Sequence, residues 1–304
     1  MANYSDIPKG GWIEKILPKV ARPYAILIRL DRAIGTWLLL LPCWWSLALG
    51  WQLNPDKITL WELAYLYLVF SVGAIVMRGA GCIVNDLWDR KLDQLVERTA
   101  NRPIASGMIS IPRATVFLLF QLSIGLFVLL QLNETCWLLG ISVLLLVFSY
   151  PAFKRFTYWP QFILGLTFNW GALMGWVAIT GEIDFVCVGL YVTGIFWTLG
   201  YDTIYAHQDK TDDEVIGVKS SALALADKTK PFIYITYGLT ILGLLLIGWI
   251  NLFEIPFFVF CSIAFTQLIW QIYTVNLDEP SDCLKKFKSN RLFGFLITIA
   301  IFSG

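Results

Sequence analysis

Apolar runs of the length that crosses a bilayer recur from one end of this 304-residue chain to the other. They fall at residues 34–51, 60–84, 114–132, 135–152, 160–180, 185–206, 232–250, 255–275 and 292–303, the last of them short. Roughly 20 apolar residues in a helix cover the ~30 Å of hydrocarbon in a membrane. The chain therefore reads as an all-α polytopic membrane protein of about nine transmembrane helices. Charged residues are only 15% of it, against roughly 25% in a soluble domain. The longest polar stretches, 85–113 and 207–231, are loops, so residues 1–304 read as one membrane domain.

Apart from Lys57 and Arg78, all of the 23 Lys and Arg residues lie in segments 1–33, 85–113, 153–159, 207–231 and 276–291. The opposite loops are short and hold Glu134, Glu182, Asp184 and Glu254 with no basic partner. The positive-inside rule puts the basic segments in the cytoplasm, or in the equivalent compartment of an organelle. The first 22 residues show neither an apolar core nor an acid-free, Arg/Ser-rich stretch. No cleaved targeting peptide is expected, and a bacterial inner membrane is preferred to a mitochondrial one. The six cysteines have no C-x-x-C spacing and read as small apolar filler. A net charge of +1 gives no reason to expect a nucleic acid among the partners.

Two acidic clusters interrupt this apolar pattern, each where a helix runs into a basic loop. In the first, Asn85, Asp89 and Asp93 fall at roughly 0°, 40° and 80° around a helix, with Asp86 beside them. In the second, Asp209 and Asp213 each fall within about 20° of Asp202 if the helix continues, with Tyr205 about 60° from Asp202 and Asp212 preceding Asp213. Four helices separate the clusters, which suggests a pseudo-repeat whose copies face each other across a cavity capped by the two long loops. Carboxylates stacked on one stripe repel, and near hydrocarbon each is costly unless a cation neutralises it. Mg2+ fits, since it takes oxygen ligands and is typically held by one or two carboxylates together with substrate phosphates. A diphosphate held through metal bridges would have Arg29, Arg32, Arg90, Lys91, Arg102 and Lys154 near to take its remaining charge. The competing reading is an ordinary solvated helix end, with these acids paired to Lys and Arg.

The string from Arg78 through Asn85, Asp86, Asp89 and Asp93, followed by 98–107 (RTANRPIASG), resembles the first signature of the intramembrane aromatic prenyltransferases. Their second signature, D-x-x-Y-A-x-x-D-x-x-x-D, is matched by Asp202, Tyr205, Ala206, Asp209 and Asp213, with 216–221 (IGVKSS) after it. Residues 29–35 (RLDRAIG) and 150–155 (YPAFKR) are similar to further family segments, in order along nearly the whole chain. The resemblance implies nine helices around a central cavity, open sideways to membrane lipid, with a cytoplasmic cap. It also implies transfer of a polyprenyl chain from polyprenyl diphosphate to an aromatic ring. The branch it matches uses 4-hydroxybenzoate, prenylated ortho to its hydroxyl on the way to ubiquinone.

In that scheme Asn85, Asp89, Asp209 and Asp213 correspond to the Mg2+ positions, and Asp86, Asp93 and Asp202 support them. Lys154 and Tyr150 match positions near the diphosphate, and Arg78 and Arg155 match positions that handle the aromatic carboxylate. Asp89, Asp93, Asp209, Asp213 and Arg155 are thus the candidate catalytic residues, with Asp209 a candidate proton acceptor. Arg29, Arg78, Tyr150, Lys154, Asp202 and Tyr205 are candidates for binding substrate.

The physical reading runs parallel. Charge drawn onto the departing diphosphate ionises an allylic C–O bond, and the faces of Trp88, Tyr150, Tyr201 or Tyr205 would stabilise the cation. Arg78, inside an apolar helix, needs an anion, either a motif aspartate or a substrate carboxylate. Arg155 also fits a plain positive-inside role. The single histidine, His207, lies about 140° from Asp202, off the stripe, and no catalytic role is expected of it. Relatives acting on homogentisate or dihydroxynaphthoate share the aspartates. An ion-coupled transporter is the alternative from another class, but it predicts acids at mid-membrane and short interrupted helices, and neither is evident.

Overall fold

The computed structural model describes residues 7, 10–96 and 98–304, except for the side chains of Lys154, Asp212 and Ile216. All regular structure among them is helical. Two short helices, α1 (Trp12–Ile16) and α2 (Arg22–Leu27), precede α3 (Ile34–Leu53), α4 (Leu60–Asp93), α5 (Ile111–Leu129) and α6 (Glu134–Phe156). Next come α7 (Pro160–Phe168), α8 (Trp170–Thr180), α9 (Phe185–Ala206), a 3-10 turn (His207–Asp209) and α10 (Lys210–Ile216). The chain ends in α11 (Ser221–Leu225), a second 3-10 turn (Ala226–Lys228), α12 (Thr229–Ile250), α13 (Ile255–Thr274) and α14 (Pro280–Phe302).

Eight of these stretches are long and apolar enough to cross a membrane: α3, α4, α5, α6, α7 with α8, α9 with its 3-10 turn, α11 through α12, and α13. The protein is a multi-pass membrane protein. Large apolar side chains stay exposed along one face of several spans, among them Val116, Phe120 and Phe127 of α5, Leu138, Ile141 and Leu145 of α6, and Leu242, Leu246 and Trp249 of α12. In water such faces would drive association, whereas in lipid they cost nothing.

Local signals set the ends. A capping box opens α4, where Glu62 Oε2 accepts from the Thr59 N–H at 2.7 Å and Thr59 Oγ1 accepts from the Glu62 N–H at 3.3 Å. Gly181, at φ 87°, closes α8, and Asp184 Oδ1 caps α9 at the N–H groups of Val186 and Cys187.

The chain divides into two compact units. The first comprises residues up to Thr36 and Val72–Leu130. Its core is Leu27 of α2, Ala80, Ile83 and Val84 of α4, Ile104 and Ile109 of the following loop, and Ala114 and Leu118 of α5. The loop after the first acidic cluster is thereby fastened down by its own apolar residues. The second unit comprises Trp37–Ser71 and Gln131–Gly304. In it α9 packs against α7, α8, α12 and α14, and α13 against α12 and α14.

Close approach around α9 rests on small residues, as in other membrane helix pairs. A Cβ on Gly200 would run into the ring of Tyr237, a residue only 1% exposed. Gly200→Ala is therefore expected to destabilise the second unit by about 1–3 kcal/mol. Thermal unfolding in detergent checks this, and an unchanged midpoint would refute the packing argument.

Two sequence expectations need correction. The apolar run 160–180 is not one helix, because it breaks at Asn169 (φ −90°, ψ 0°) between α7 and α8. Fully buried, Asn169 donates through Nδ2 to Gly165 O at 2.9 Å and to Thr198 Oγ1 at 2.8 Å. An interrupted span thus exists after all, but its amide protons are spent inside the protein. The last helix is not short either. It starts at Pro280 and spans 23 residues, its polar half held by Lys286, which is 3% exposed, bonded to Asp282 at 2.8 Å and lying 4.6 Å from the centre of the Trp270 ring.

Candidate active site

The first cluster occupies the last turns of α4, which runs unbroken to Asp93, so Asn85, Asp89 and Asp93 do share a helical stripe. All three aspartates of the cluster are buried, with Asp86 1%, Asp89 8% and Asp93 6% exposed. Carboxylates held this far from water need cationic partners, and two arginines supply them. Arg29 Nη2 donates to both oxygens of Asp86, at 2.7 and 3.0 Å. Arg102 Nη1 donates to both oxygens of Asp93, at 3.0 and 3.1 Å, and reaches Asp86 Oδ1 at 3.4 Å.

The backbone serves this arrangement. Arg29 has φ 62°, a left-handed conformation that costs a non-glycine residue about 1–3 kcal/mol. Its Nη1 also donates to the carbonyls of Ile26 and Leu27, both at 3.3 Å, so the side chain folds back over its own turn while holding Asp86. Thr99 Oγ1 donates to the Asp93 carbonyl at 2.9 Å and Gln94 Nε2 to the Ala105 carbonyl at 2.9 Å, tying the loop to the end of α4. Two turns earlier on α4, the Arg78 guanidinium lies against Gly35, where a Cβ would fall 2.5 Å from Arg78 Nε. Gly35 gives that guanidinium its space. Arg32 approaches Asp31 at 3.5 Å, Arg90 Nη1 donates to the Leu87 carbonyl at 2.9 Å, and Trp88 is exposed.

The second cluster departs from the expected helix. Asp202, 8% exposed, and Tyr205 lie in the last turn and a half of α9, but the α-helix ends at Ala206. The 3-10 turn His207–Asp209 follows, and Asp209 is the N-cap residue of α10, which carries Asp213 one turn later. A 3-10 turn advances roughly 120° per residue rather than 100°, so a common phase within about 20° does not survive. In idealised geometry Asp209 and Asp213 move to roughly 40° and 80° from Asp202, the spread of the first stripe. Asp209 and Asp213 are both half-buried.

The tyrosines separate. Tyr201 is fully buried, accepts from Thr198 Oγ1 at 3.1 Å and meets the Trp197 ring edge-on at 5.0 Å, so it is a packing residue and not an open aromatic wall. Tyr205 is half-buried with its ring 4.4 Å from that of Phe287 on α14. At the end of α6, Tyr150 is half-buried and Arg155 exposed, while the Lys154 side chain, like that of Asp212, lies outside the described side chains.

Some partners carry no sequence signal: Phe287 beneath Tyr205, and Thr229, whose Oγ1 meets His207 Nε2 at 3.1 Å. Nothing local marks them, because each is remote in sequence and chemically ordinary.

Among the described residues no three of His, Cys, Asp or Glu form a ready-made metal cage. What each cluster does offer is an i,i+4 pair of oxygen ligands, Asn85 with Asp89 on α4 and Asp209 with Asp213 on α10. That donor set fits Mg2+, which keeps several waters and completes its shell with phosphate oxygens.

The profile of the UbiA prenyltransferase family matches residues 39–297. The mitochondrial 4-hydroxybenzoate polyprenyltransferase of Rattus norvegicus is 49% identical over 289 residues, covering 94% of this chain and 76% of its own. The 4-hydroxybenzoate geranyltransferase 2 of Lithospermum erythrorhizon is 48% identical over 296 residues, covering 96% and 94%. In fold, a UbiA homologue from Archaeoglobus fulgidus, solved bound to GPP and Mg2+, superposes with a TM-score of 0.67 at 16% identity, covering 93% of this chain and all of its own. The preference for a bacterial inner membrane finds no support here, since the rat relative is by name mitochondrial. With a family profile covering most of its length and relatives nearly half identical along it, the chain belongs to the UbiA prenyltransferase family.

Proposed function

We propose that this protein is a 4-hydroxybenzoate polyprenyltransferase. It transfers a polyprenyl group from polyprenyl diphosphate to the ring carbon ortho to the hydroxyl of 4-hydroxybenzoate, a step in ubiquinone biosynthesis. The observation that carries this reading is near-half identity, along almost the whole chain, to enzymes whose names share that acceptor while differing in the prenyl donor. The mitochondrial inner membrane is its proposed location, with the basic segments on the matrix side. Residues 1–304 work as one catalytic domain, a reading supported by a family match that runs through both compact units.

The proposed roles follow from the donor chemistry. Asn85 with Asp89, and Asp209 with Asp213, hold Mg2+, which when bound neutralises the negative charge that builds up on the departing diphosphate. Asp86 and Asp93, already neutralised by Arg29 and Arg102, keep those guanidinium groups oriented at the end of α4. Arg29 therefore contributes to substrate binding from a fixed position. Asp202 supports the second pair from the end of α9. Lys154 and Tyr150 take the diphosphate, and Arg78 and Arg155 take the carboxylate of the acceptor. The face of Tyr205, backed by Phe287, steadies the allylic cation. Carbon–carbon bond formation at the ortho position then releases a ring proton, for which Asp209 is the proposed acceptor.

The test is to incubate the purified protein with Mg2+, 4-hydroxybenzoate and polyprenyl diphosphates of several lengths. C-prenylated product is expected, and EDTA should abolish it. Reaction with homogentisate or dihydroxynaphthoate but not 4-hydroxybenzoate would move the acceptor assignment.

A further inference from the structure

His207 lies off both ligand pairs and is 6% exposed, yet it sits two residues before Asp209 in the turn where α9 gives way to α10. Its Nε2 is 3.1 Å from Thr229 Oγ1. That hydroxyl has a single proton, which it donates to the Ala226 carbonyl at 2.8 Å. Toward His207 it can only accept, so Nε2 carries a proton and donates it. The other end of this clasp is itself unusual, since Ala226 has φ 45° and ψ −117°, a positive-φ conformation rare outside glycine. A second buried bond lies alongside, Thr203 Oγ1 to Ser221 Oγ at 2.9 Å, and the Ser221 N–H donates to Gln161 Oε1 at 3.1 Å. The segment carrying Asp209 and Asp213 is thus pinned at both of its ends, and His207 is the pin nearest the carboxylates.

We infer that the His207–Thr229 clasp is a positioning device for the second ligand pair. By holding the tightened turn 207–209 in place, it sets the direction in which Asp209 and Asp213 present their oxygens. Without it the segment relaxes toward continuous α-helix, and the 3-10 turn's extra rotation of roughly 60° over three residues is lost. His207 touches no reacting atom in this account. The inference rests on the proposed reading of Asp209 and Asp213 as metal ligands.

The test compares His207→Ala, Thr229→Val, their double variant and Thr229→Ser with wild type and Asp209→Asn, all as full-length protein in detergent. Mn2+ affinity is read by EPR in the presence of geranyl thiolodiphosphate, alongside the Mg2+ concentration for half-maximal transfer and KM for 4-hydroxybenzoate. His207→Ala and Thr229→Val should each weaken Mn2+ binding about tenfold, the scale of an outer-shell change at a metal site, with KM for the acceptor unchanged. The double variant should match Thr229→Val, because the His207–Thr229 bond is already lost once the hydroxyl is gone. Thr229→Ser, which keeps the hydroxyl, should stay close to wild type. If His207→Ala fails to fold, the Thr229→Val and Thr229→Ser pair decides. Wild-type Mn2+ affinity in Thr229→Val, with weakened affinity in Asp209→Asn, overturns the clasp and leaves the site reading standing. Unchanged affinity in Asp209→Asn overturns the site reading itself.

Discussion

Replacing Asp89 by Asn should lower prenyl transfer by about 10²–10³-fold, the usual loss when one preorganised electrostatic group is removed from a reacting centre. The side chain keeps its size and one carbonyl oxygen, so the packing of α4 is preserved and the midpoint of thermal unfolding without Mg2+ should shift little. Binding should suffer instead. Asp89 is buried on the stripe it shares with Asn85, in a cluster where Asp86 and Asp93 are held by Arg29 and Arg102. In the proposed reading, Asp89 is a ligand of the Mg2+ that arrives with substrate. The stabilisation that Mg2+ with a diphosphate analogue gives the wild type should shrink in Asp89→Asn, because ligand stabilisation scales with affinity. Turnover within a few-fold of wild type would remove Asp89 from the metal site.

The first cluster was legible in the sequence because its geometry is local: a single helix carries Asn85 to Asp93, and 3.6-residue periodicity is enough to line them up. The second was legible in composition but not in phase. No Gly or Pro marks the change from α-helix to 3-10 turn at His207, whose cross-chain bond is made with Thr229, 22 residues away. The break at Asn169 is of the same kind, since the surrounding run is largely apolar and one of the two side-chain bonds reaches Thr198 on a different helix. Hydropathy also missed the first half of α14, because that half is amphipathic: Lys286 is buried against Asp282 and Asn290 accepts from Trp197, while Lys285, Lys288 and Arg291 stay exposed. Tyr201 shows a further limit. Helical phase can put a ring on the same side as an acid, but only packing tells a core position from an open one.

Replacing Arg102 by Ala should be the most destabilising change in the first cluster, costing about 3–5 kcal/mol. One guanidinium serves Asp93 at 3.0 Å and Asp86 at 3.4 Å, and all three side chains are largely withdrawn from solvent. Truncation leaves Asp93 without its Arg102 bonds and Asp86 with Arg29 as its one remaining ion pair among the described residues. The cost comes from stranded negative charge, so removing the charge should recover part of it. Arg102→Ala combined with Asp93→Asn should be more stable than Arg102→Ala alone, although adding a second substitution to a damaged protein usually lowers stability further. Arg102→Lys should fall between wild type and Ala, since a single ammonium matches the charge but not the planar fork. Unfolding midpoints in detergent for the four proteins, measured without Mg2+, give the comparison. If Asp93→Asn made Arg102→Ala worse, the pairing would be incidental to stability, and Arg102 would be better placed among the groups that meet the diphosphate.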